Sequence, residues 1–462
     1  MREQKVLHEL QKVLGKDNVI YRPEDLYLYS YDATPDVPRE VPAVAVTPES
    51  TDQVAAVVNI CRQHRLPIFP RGSATNLSGG TVPQAGGLVL LTLKMNRILE
   101  LDPDNLTATV QPGVIIQHLN DASAPHGLIY PPDPGTVAVA TMGGSVSECS
   151  GGLRGLKYGV TRDYVTGLQV VMADGSVARF GGKTVKNVTG YDMVRLFTGS
   201  EGTLGLITEI IVRLVPAPAD RRSMLASFTE LAAAGEAVAA IIRAKVIPAT
   251  MEILDHTTIS AVENYAHVGL PQEAAAVLLV EVDGLPEVVR QDAATVERLL
   301  KQCGGQVRLA ADDRERDALW AARRAALPAL ARLRPTTVLE DATVPRSRIV
   351  DMLVAIGEIA KRHDLLIGTF GHAGDGNLHP TILTDESNGA EMARVHEAVQ
   401  EIFTIALSMG GTLSGEHGVG LAKKRFLPQE LGDGGVAAVR RIKQALDPEN
   451  IFNPGKLVPG EE

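Results

Sequence analysis

The pattern of apolar and polar positions divides the chain into two regions, and the first extends to about residue 216. The opening segment MREQKVLHELQKVLG carries apolar residues at helical spacing, which predicts an amphipathic helix instead of a secretion signal. From Val41 to Pro216 short β-branched runs alternate with Gly-rich turns, and a helical pattern covers Thr51 to His64. These features predict an α+β domain in which a Gly-rich loop directly follows a strand.

The second region begins after the Pro-rich segment PAPAD at residues 216–220, which indicates a domain boundary. Ala-rich helical patterns such as LAAAGEAVAAIIRA and DAATVERLLKQCGG alternate with strand patterns such as AAAVLLVEVDG. Two successive strand-then-helix units predict an antiparallel sheet that helices cover on one side. The fold class predicted for the whole chain is therefore α+β.

Composition and charge exclude several classes of protein. The 462 residues are 45% hydrophobic and 22% charged, which is typical of a soluble globular chain with about two or three domains. A net charge of -10 argues against binding to nucleic acid, and no apolar run reaches the roughly 18 residues that span a bilayer. The three cysteines, Cys61, Cys149 and Cys303, are too far apart for a CxxC metal or iron–sulfur motif, so we expect a reducing cytoplasm.

The decapeptide GHAGDGNLHP at residues 371–380 is the first candidate for chemistry. Its three glycines disfavour a helix, whereas Asp375-Gly376 is a preferred two-residue hairpin turn. That turn would place His372 directly opposite His379, with Cβ atoms about 5 Å apart, so that both imidazoles could bind one ion. A pair of hydrogen-bonded loop histidines is the alternative interpretation.

The segment SGEHGVG supplies further ligands, because Glu416 and His417 stand between Gly415 and Gly418. Two histidines and a carboxylate with an open fourth position form a known catalytic zinc set, and non-haem iron uses the same ligand types. His417 would then remain as a general base beside the metal. The alternative is that His417 only hydrogen-bonds a neighbouring carbonyl group.

The Gly-rich segment PRGSATNLSGG at residues 70–80 follows a strand and would point main-chain N–H groups into one concavity that suits a pyrophosphate. It is not the Rossmann GxGxxG motif, and a plain Gly/Ser surface loop is the alternative. Similar loops at residues 130–136, 141–152 and 199–205 favour a large cofactor that several loops approach closely. GGKT at residues 181–184 is not a P-loop, because Val177 occupies the position of the required earlier glycine.

Together, PRGSATNLSGG, GHAGDGNLHP, GEHGVG and NPGK make the chain resemble the flavin-dependent D-2-hydroxyacid dehydrogenases, which are vanillyl-alcohol-oxidase-like flavoproteins. This family includes the glycolate oxidase flavoprotein subunit, D-lactate dehydrogenases and D-2-hydroxyglutarate dehydrogenase. The resemblance runs from about residue 10 to residue 457. It implies a two-subdomain FAD-binding domain over residues 1–218, an α+β cap domain with the metal site over 219–420, and a C-terminal segment, 421–462, that packs back on the FAD domain.

The resemblance also implies roles for individual residues. The metal ligands would be His372, His379 and Glu416, the base His417, and the substrate contacts Arg323 and Asn377. A planar guanidinium suits a substrate carboxylate by bidentate pairing. The residues implied to contact FAD are Pro70, Arg71, Gly72, Ser73, Ala74, Thr75, Asn76, Leu77, Ser78, Gly79, Pro132, Asp133, Met142, Gly143, Gly144, Ser147, Gly151, Glu201, Gly202, Ile207 and Asn453.

The sequence departs from the family at three places. Ser145 and Cys149 replace asparagines that relatives often carry beside the flavin. Leu339 stands where 2-hydroxyglutarate enzymes carry a lysine for the distal carboxylate, which favours a short monocarboxylate substrate. Residues 70–80 contain no histidine, so the resemblance implies non-covalent FAD.

The function that the resemblance implies is oxidation of glycolate or D-lactate to the 2-oxoacid by hydride transfer to flavin N5. It would require FAD and one divalent metal, with zinc placed ahead of iron or manganese. Electrons would pass to an external acceptor. The resemblance favours an iron–sulfur partner subunit or an electron-transfer flavoprotein over a quinone or a cytochrome. Membrane association through that partner and a homodimer stay open. D-2-hydroxyglutarate oxidation, a flavin-free iron oxygenase and a non-catalytic flavin-binding scaffold are the alternatives.

Overall fold

The structure is a computed structural model that describes residues 2–84 and 86–460. The description leaves out residues 1, 85, 461 and 462. The start of the predicted domain 1–218 and the end of the predicted segment 421–462 therefore lie outside the described residues. The chain forms two compact units. The first unit contains Met1–Ser150, Val160–Ala217 and Glu416–Glu462, and the second contains Gly151–Gly159 and Pro218–Gly415.

The β-strands range from two to nine residues in length. They are β1 (Val19–Ile20), β2 (Val44–Val46), β3 (Ile68–Arg71), β4 (Leu88–Leu91), β5 (Ile98–Asp102), β6 (Thr107–Val110), β7 (Leu128–Ile129), β8 (Val165–Val171), β9 (Val177–Gly181), β10 (Leu206–Arg213), β11 (Val215–Pro216), β12 (Asp220–Phe228), β13 (Thr250–Asp255), β14 (Ala276–Gly284), β15 (Gln306–Leu309), β16 (Thr336–Leu339), β17 (Ala342–Thr343), β18 (Leu366–His372) and β19 (Asn377–Thr384).

The α-helices range from single turns to helices of 20 residues. They are α1 (Arg2–Leu14), α2 (Pro23–Leu26), α3 (Thr51–His64), α4 (Ile116–Ser123), α5 (Met142–Glu148), α6 (Gly155–Tyr158), α7 (Met193–Phe197), α8 (Leu231–Arg243), α9 (His256–Ala266), α10 (Pro286–Gln302), α11 (Asp313–Arg324), α12 (Ala326–Leu330), α13 (Ile349–Arg362), α14 (Gly389–Ser408) and α15 (Leu427–Leu446). No helix of residues 2–84 and 86–460 is long and apolar enough to cross a membrane.

The first unit contains a four-stranded sheet in the order β1-β2-β4-β3, in which β4 runs parallel to both β2 and β3. Helix α3 connects β2 to β3, and the Ser50 side chain caps it by accepting a hydrogen bond from the N–H of Gln53. Val57 of α3 packs in one apolar core with Leu10 of α1 and Leu88 of β4. The predicted helices at the N-terminus and at residues 51–64 are therefore confirmed.

A second, antiparallel sheet of the first unit has the order β5-β6-β10-β8-β9. Its central strands, β10 and β8, are buried along most of their length, whereas β9 at the edge alternates exposed and half-buried residues. This pattern is expected when one edge strand faces solvent. The Gly-rich segments at residues 130–136 and 199–205 lie before α5 and β10. The segment at residues 141–152, which was expected to be a loop, instead contains helix α5, which Thr141 caps by accepting a hydrogen bond from the N–H of Gly144.

The second unit is built on an eight-stranded sheet in the order β15-β12-β14-β13-β18-β19-β16, with β17 also pairing with β19. All of these pairings are antiparallel, which confirms the predicted antiparallel sheet. The apolar run of β14 is buried from Ala276 to Asp283 because β12 and β13 pair with it on both sides. Polar residues inside such buried strands stand out, since each needs a partner.

The hairpin of β18 and β19 has a different register from the predicted one. His372 pairs with Asn377, not with His379, and His379 pairs with Phe370. The turn contains four residues instead of two, and both Asp375 and Gly376 donate their N–H to the carbonyl oxygen of His372. The physical reason is that β19 also pairs with β17 from Asn377 onward, which extends the strand and leaves the preceding residues to form the turn.

Candidate active site

His372 and His379 lie on one face of the β18–β19 hairpin in the second unit. Although the two residues are diagonal neighbours, their ring centroids are 5.2 Å apart and the rings are nearly perpendicular. Both side chains are buried, with 6% and 3% of their surface exposed. Two imidazoles at this spacing fit two ligands of one metal ion, so the structure brings these predicted ligands together.

Glu252 of β13 joins His372 to Arg323. It lies directly opposite His372 in the sheet, and its Oε1 is 2.7 Å from Nδ1 of that histidine. Nε of Arg323 donates to Oε2 at 2.7 Å. Burial raises the pKa of the fully buried Glu252 carboxyl, but its electrostatic and hydrogen-bond interactions with His372 and Arg323 outweigh burial, and the net pKa lies below its ordinary value. Glu252 is therefore a carboxylate that the sequence analysis did not identify.

Asn377 opens β19 and belongs to a second polar group on the same sheet. Its Nδ2 donates to the hydroxyl of Thr343 at 2.6 Å and also to a carboxylate oxygen of Asp341. The other oxygen of Asp341 accepts from the Ser414 hydroxyl at 2.7 Å. Gly415 packs so closely on Thr343 and Asn377 that a side chain there would clash with both. The predicted substrate contact Asn377 is thus held in place by its neighbours.

Glu416 and His417 belong to the first unit, where they precede a tightly held turn. Oε1 of Glu416 is 3.9 Å from Nε2 of His417. The following main-chain N–H groups, of Val419 and Gly420, each donate to one oxygen of Glu201 at 2.7 Å. Glu201 therefore fixes the backbone that carries the predicted ligand and the predicted base.

The Gly-rich loop at residues 70–80 has the properties of an anion-binding loop. Within the described part of the chain, no residue accepts a hydrogen bond from the main-chain N–H groups of residues 73–78, although the loop is half-buried. Half-buried N–H groups need an acceptor, and a pyrophosphate supplies several anionic oxygens. The residues present therefore fit the phosphate part of a dinucleotide such as FAD.

The N-terminal segment shapes this loop, which the sequence analysis did not predict. Asp32 accepts from Nδ2 of Asn76 at 2.9 Å, and the Thr34 hydroxyl accepts from the N–H of Gly79 at 2.7 Å. The buried guanidinium of Arg71 donates to the carbonyl oxygen of Tyr31 at 2.7 Å. Two side chains of the predicted cofactor loop, Asn76 and Arg71, thus serve to hold its conformation.

Other predicted FAD contacts meet at the same loop. Gly202 has φ of +68° and packs on Pro70 so closely that a side chain would clash, and Gly72 packs in the same way on Thr141. Nδ2 of Asn453 donates to the carbonyl oxygens of Gly80 at 2.9 Å and Glu201 at 2.7 Å. The predicted contacts elsewhere in the first unit are Pro132 and Asp133 after β7, Met142, Gly143, Gly144 and Ser147 in α5, and Ile207 in β10. Gly151 belongs to the second unit.

Glu148 is a buried acid that the sequence analysis also missed. It ends α5, and Oε2 of its carboxyl group is buried without a hydrogen-bond partner among the described residues. Burial and the nearby charge of Glu201 raise the pKa of Glu148 well above its ordinary value. The segment SVSECS gives no local signal for this, whereas the lone glutamate in the apolar strand TMEILD was a detectable signal for Glu252.

Two protein families match the chain. The family described as "FAD linked oxidases, C-terminal domain" matches residues 217–457, and the family described as "FAD binding domain" matches residues 42–181. The second match spans the Gly-rich loop at residues 70–80, and it shows that the cofactor is FAD. A flavin-free oxygenase, which the ligand types alone left open, is therefore wrong.

Characterised relatives cover almost the whole chain. It is 52% identical over 453 residues to the glycolate oxidase subunit GlcD of Bacillus subtilis (strain 168), covering 98% of this chain and 96% of that protein. It is 36% identical to GlcD of Escherichia coli (strain K12), covering 98% and 91%. It is also 36% identical to the D-lactate dehydrogenase of Archaeoglobus fulgidus, covering 98% and 99%.

Solved structures show the same fold at lower identity. p-Cresol methylhydroxylase superposes with a TM-score of 0.81 at 21% identity, covering 99% of this chain and 97% of that one. The 4-ethylphenol oxidase of Gulosibacter chungangensis gives 0.82 at 19% identity, with coverage of 99% and 97%. The predicted vanillyl-alcohol-oxidase-type α+β fold is therefore confirmed. With the close relatives, these findings establish that the chain is an FAD-linked oxidoreductase of the D-2-hydroxyacid dehydrogenase family.

Proposed function

We propose that the protein oxidises glycolate or D-lactate to the corresponding 2-oxoacid with FAD and one divalent metal ion. The observation that carries the proposal is the pair of buried imidazoles of His372 and His379, 5.2 Å apart on one sheet face, in a chain of an FAD-linked family. The names of its relatives, glycolate oxidase subunit and D-lactate dehydrogenase, point to the same two substrates.

The proposed metal ligands are His372, His379 and Glu416. Gly415 packs directly on Asn377, which lies on the same sheet face as His379, and Glu416 is the next residue along the chain. Zinc fits this set of nitrogen and oxygen ligands, and iron or manganese are the alternatives.

The chain's own residues divide the remaining tasks. When bound, the metal supplies Lewis acidity that lowers the pKa of the substrate hydroxyl, and the flavin supplies a hydride acceptor at N5. His417 takes the hydroxyl proton as general base. Arg323 and Asn377 hold the substrate, with the guanidinium on its carboxylate.

Leu339 favours a short substrate. It ends β16 directly opposite Thr381 of β19. Thr381 and His379 are two positions apart in β19, so their side chains lie on the same face of the sheet. Leu339 is buried and apolar, so this part of the face offers no charge to a second carboxylate. D-2-hydroxyglutarate would leave its distal carboxylate unpaired there, which is costly.

The electrons must leave through an external acceptor. The three cysteines, Cys61, Cys149 and Cys303, are all free in the structure and too scattered in the sequence to hold an iron–sulfur cluster. We therefore propose that an iron–sulfur partner subunit or an electron-transfer flavoprotein accepts the electrons. The relative from Bacillus subtilis is named a glycolate oxidase subunit, which is consistent with a partner subunit.

Anaerobic flavin reduction tests the proposal. The FAD-loaded protein is mixed with glycolate, D-lactate, L-lactate or D-2-hydroxyglutarate, and flavin absorbance is followed in a stopped-flow instrument. We expect bleaching with glycolate or D-lactate and much slower bleaching with the other two. No bleaching with either short acid, in protein that holds both FAD and metal, would refute the proposal.

The variant His417→Ala separates the base from the ligands. We expect it to keep FAD and metal but to reduce flavin about 100- to 10,000-fold more slowly, which is the usual contribution of a positioned base. His396→Ala is a matched control, because that histidine is exposed to solvent on α14. An unchanged rate of reduction in His417→Ala would remove this residue from the mechanism.

A further inference from the structure

We propose that Glu252 is a positioning residue that fixes two functional groups at once, His372 through Oε1 and Arg323 through Oε2. The inference rests on the proposed function, because it assigns Glu252 a task at the same metal and substrate. Its physical basis lies entirely within the second unit, where β13, β18 and α11 bring the three side chains together.

The contact with His372 selects one tautomer of the imidazole. Oε1 of Glu252 is 2.7 Å from Nδ1, and the carboxylate is fully buried. A carboxylate can only accept a hydrogen bond, so Nδ1 must carry the proton. The lone pair is then on Nε2, and His372 binds the metal through Nε2. Such outer carboxylates typically strengthen metal binding about 10- to 100-fold.

The contact with Arg323 fixes the direction of the guanidinium. Nε and Nη2 lie 2.7 and 2.6 Å from Oε2 of Glu252, and the guanidinium carbon lies 4.7 Å from the centre of the Phe370 ring. The third nitrogen, Nη1, has no hydrogen-bond partner among residues 2–84 and 86–460. Nη1 is therefore the part of Arg323 that remains for a substrate carboxylate.

A glutamine at position 252 cannot perform both tasks. It has one acceptor oxygen, so either His372 or Arg323 would face an amide NH₂ group instead of an acceptor. Glu281 of the neighbouring strand β14 provides the matched control. It is also a buried glutamate, but its Oε2 accepts from the Ser223 hydroxyl at 2.6 Å and the Trp320 indole at 2.9 Å, and no histidine or arginine of the described residues donates a hydrogen bond to it.

The experiment compares Glu252→Gln with Glu281→Gln in FAD-loaded protein. Zinc affinity is measured by competition with a chromophoric chelator, and flavin absorbance reports that each variant is folded. We expect Glu252→Gln to bind zinc about 10- to 100-fold more weakly, and Glu281→Gln to match the wild type. At saturating zinc, the KM for the hydroxyacid should rise about tenfold in Glu252→Gln, with a smaller change in kcat.

Several outcomes would overturn the inference. Wild-type zinc affinity in Glu252→Gln would do so, and so would equal losses in both variants, because they would indicate general structural damage. A wild-type protein that binds no divalent metal would refute the metal-dependent function and this inference with it, and that result is seen before any variant is made. The two failures are therefore distinguishable.

A measurement on the unmodified protein guards against variants that do not fold. Proton–nitrogen NMR of histidine-labelled, FAD-loaded protein without added metal distinguishes the two imidazole tautomers of His372, with His372→Gln used to assign its signal. We expect the Nδ1–H form. An Nε2–H form would overturn the inference even if no variant could be purified.

Discussion

Glu201 should control the backbone of the segment that carries Glu416 and His417, and Glu201→Gln tests this directly. Each carboxylate oxygen of Glu201 accepts a main-chain N–H at 2.7 Å, one from Val419 and one from Gly420. Burial raises the pKa of Glu201, and these two hydrogen bonds oppose that rise. Both oxygens of the carboxyl group therefore act as acceptors, and their hydrogen bonds offset part of the cost of burial.

The magnitude follows from the number of bonds. A glutamine keeps one acceptor oxygen and turns an NH₂ group toward the other N–H, so one charge-assisted bond is lost and one buried donor is left unsatisfied. Together these effects amount to about 2–4 kcal/mol. If opening of the turn exposes both N–H groups, their hydrogen exchange should accelerate about 30- to 1,000-fold.

Hydrogen-exchange mass spectrometry of FAD-loaded protein measures this effect in peptides that contain Val419 and Gly420. Glu24→Gln is the matched control, since Glu24 is exposed on α2 of the same unit and should change nothing in these peptides. Exchange in Glu201→Gln at the wild-type rate would show that the two N–H bonds do not hold the turn, and the reasoning would fail.

Three further outcomes are expected. His372→Ala should lose metal and activity together, and full metal occupancy by elemental analysis would contradict its ligand role. Burial raises the pKa of Asp255 from 3.8 to about 6, so the folded protein binds more protons than the unfolded chain between pH 3.8 and pH 6. The free energy of unfolding should therefore fall by about 3 kcal/mol as the pH rises through this range. Asp255→Asn should remove this pH dependence in urea titrations at pH 4–7. Lys443→Met should destabilise by about 3–5 kcal/mol in urea, because it leaves the buried Asp447 carboxylate, 2.5 Å from Nζ, without its counter-charge.

The sequence allowed the face of the hairpin to be predicted, but not its register. His372 and His379 were expected to be directly opposite, whereas His372 pairs with Asn377. The difference moves His379 by two positions along its strand, and side chains alternate with a period of two, so both histidines stay on one face. A displacement by one position would have separated them. The prediction of a shared ion therefore survives an error in the turn.

The sequence pattern could not predict the roles of residues whose partners are distant along the chain. Glu252 is 120 positions from His372 in the sequence, and only the order of strands in the sheet makes them neighbours. Local periodicity identifies β13 as a buried strand but gives no information about which strand pairs with it. Arg323 shows the same limit, because on its own it is a charge on a helix, and only the family resemblance assigned it a role.

The positions of the charges in the second unit are better explained by function than by stability. Glu252 and Arg323 are almost completely removed from solvent, at 0% and 5% exposure. Replacing a buried ion pair by apolar residues of similar volume is often neutral or even stabilising, so folding alone does not require this pair. The sheet nevertheless places Glu252 opposite His372, and the guanidinium of Arg323 on the ring of Phe370, the cross-strand partner of His379. Glu252 therefore contacts the proposed metal ligand His372 directly, and Arg323 contacts Phe370, the neighbour of the proposed ligand His379. This arrangement is expected if the two buried charges orient the histidines and the substrate.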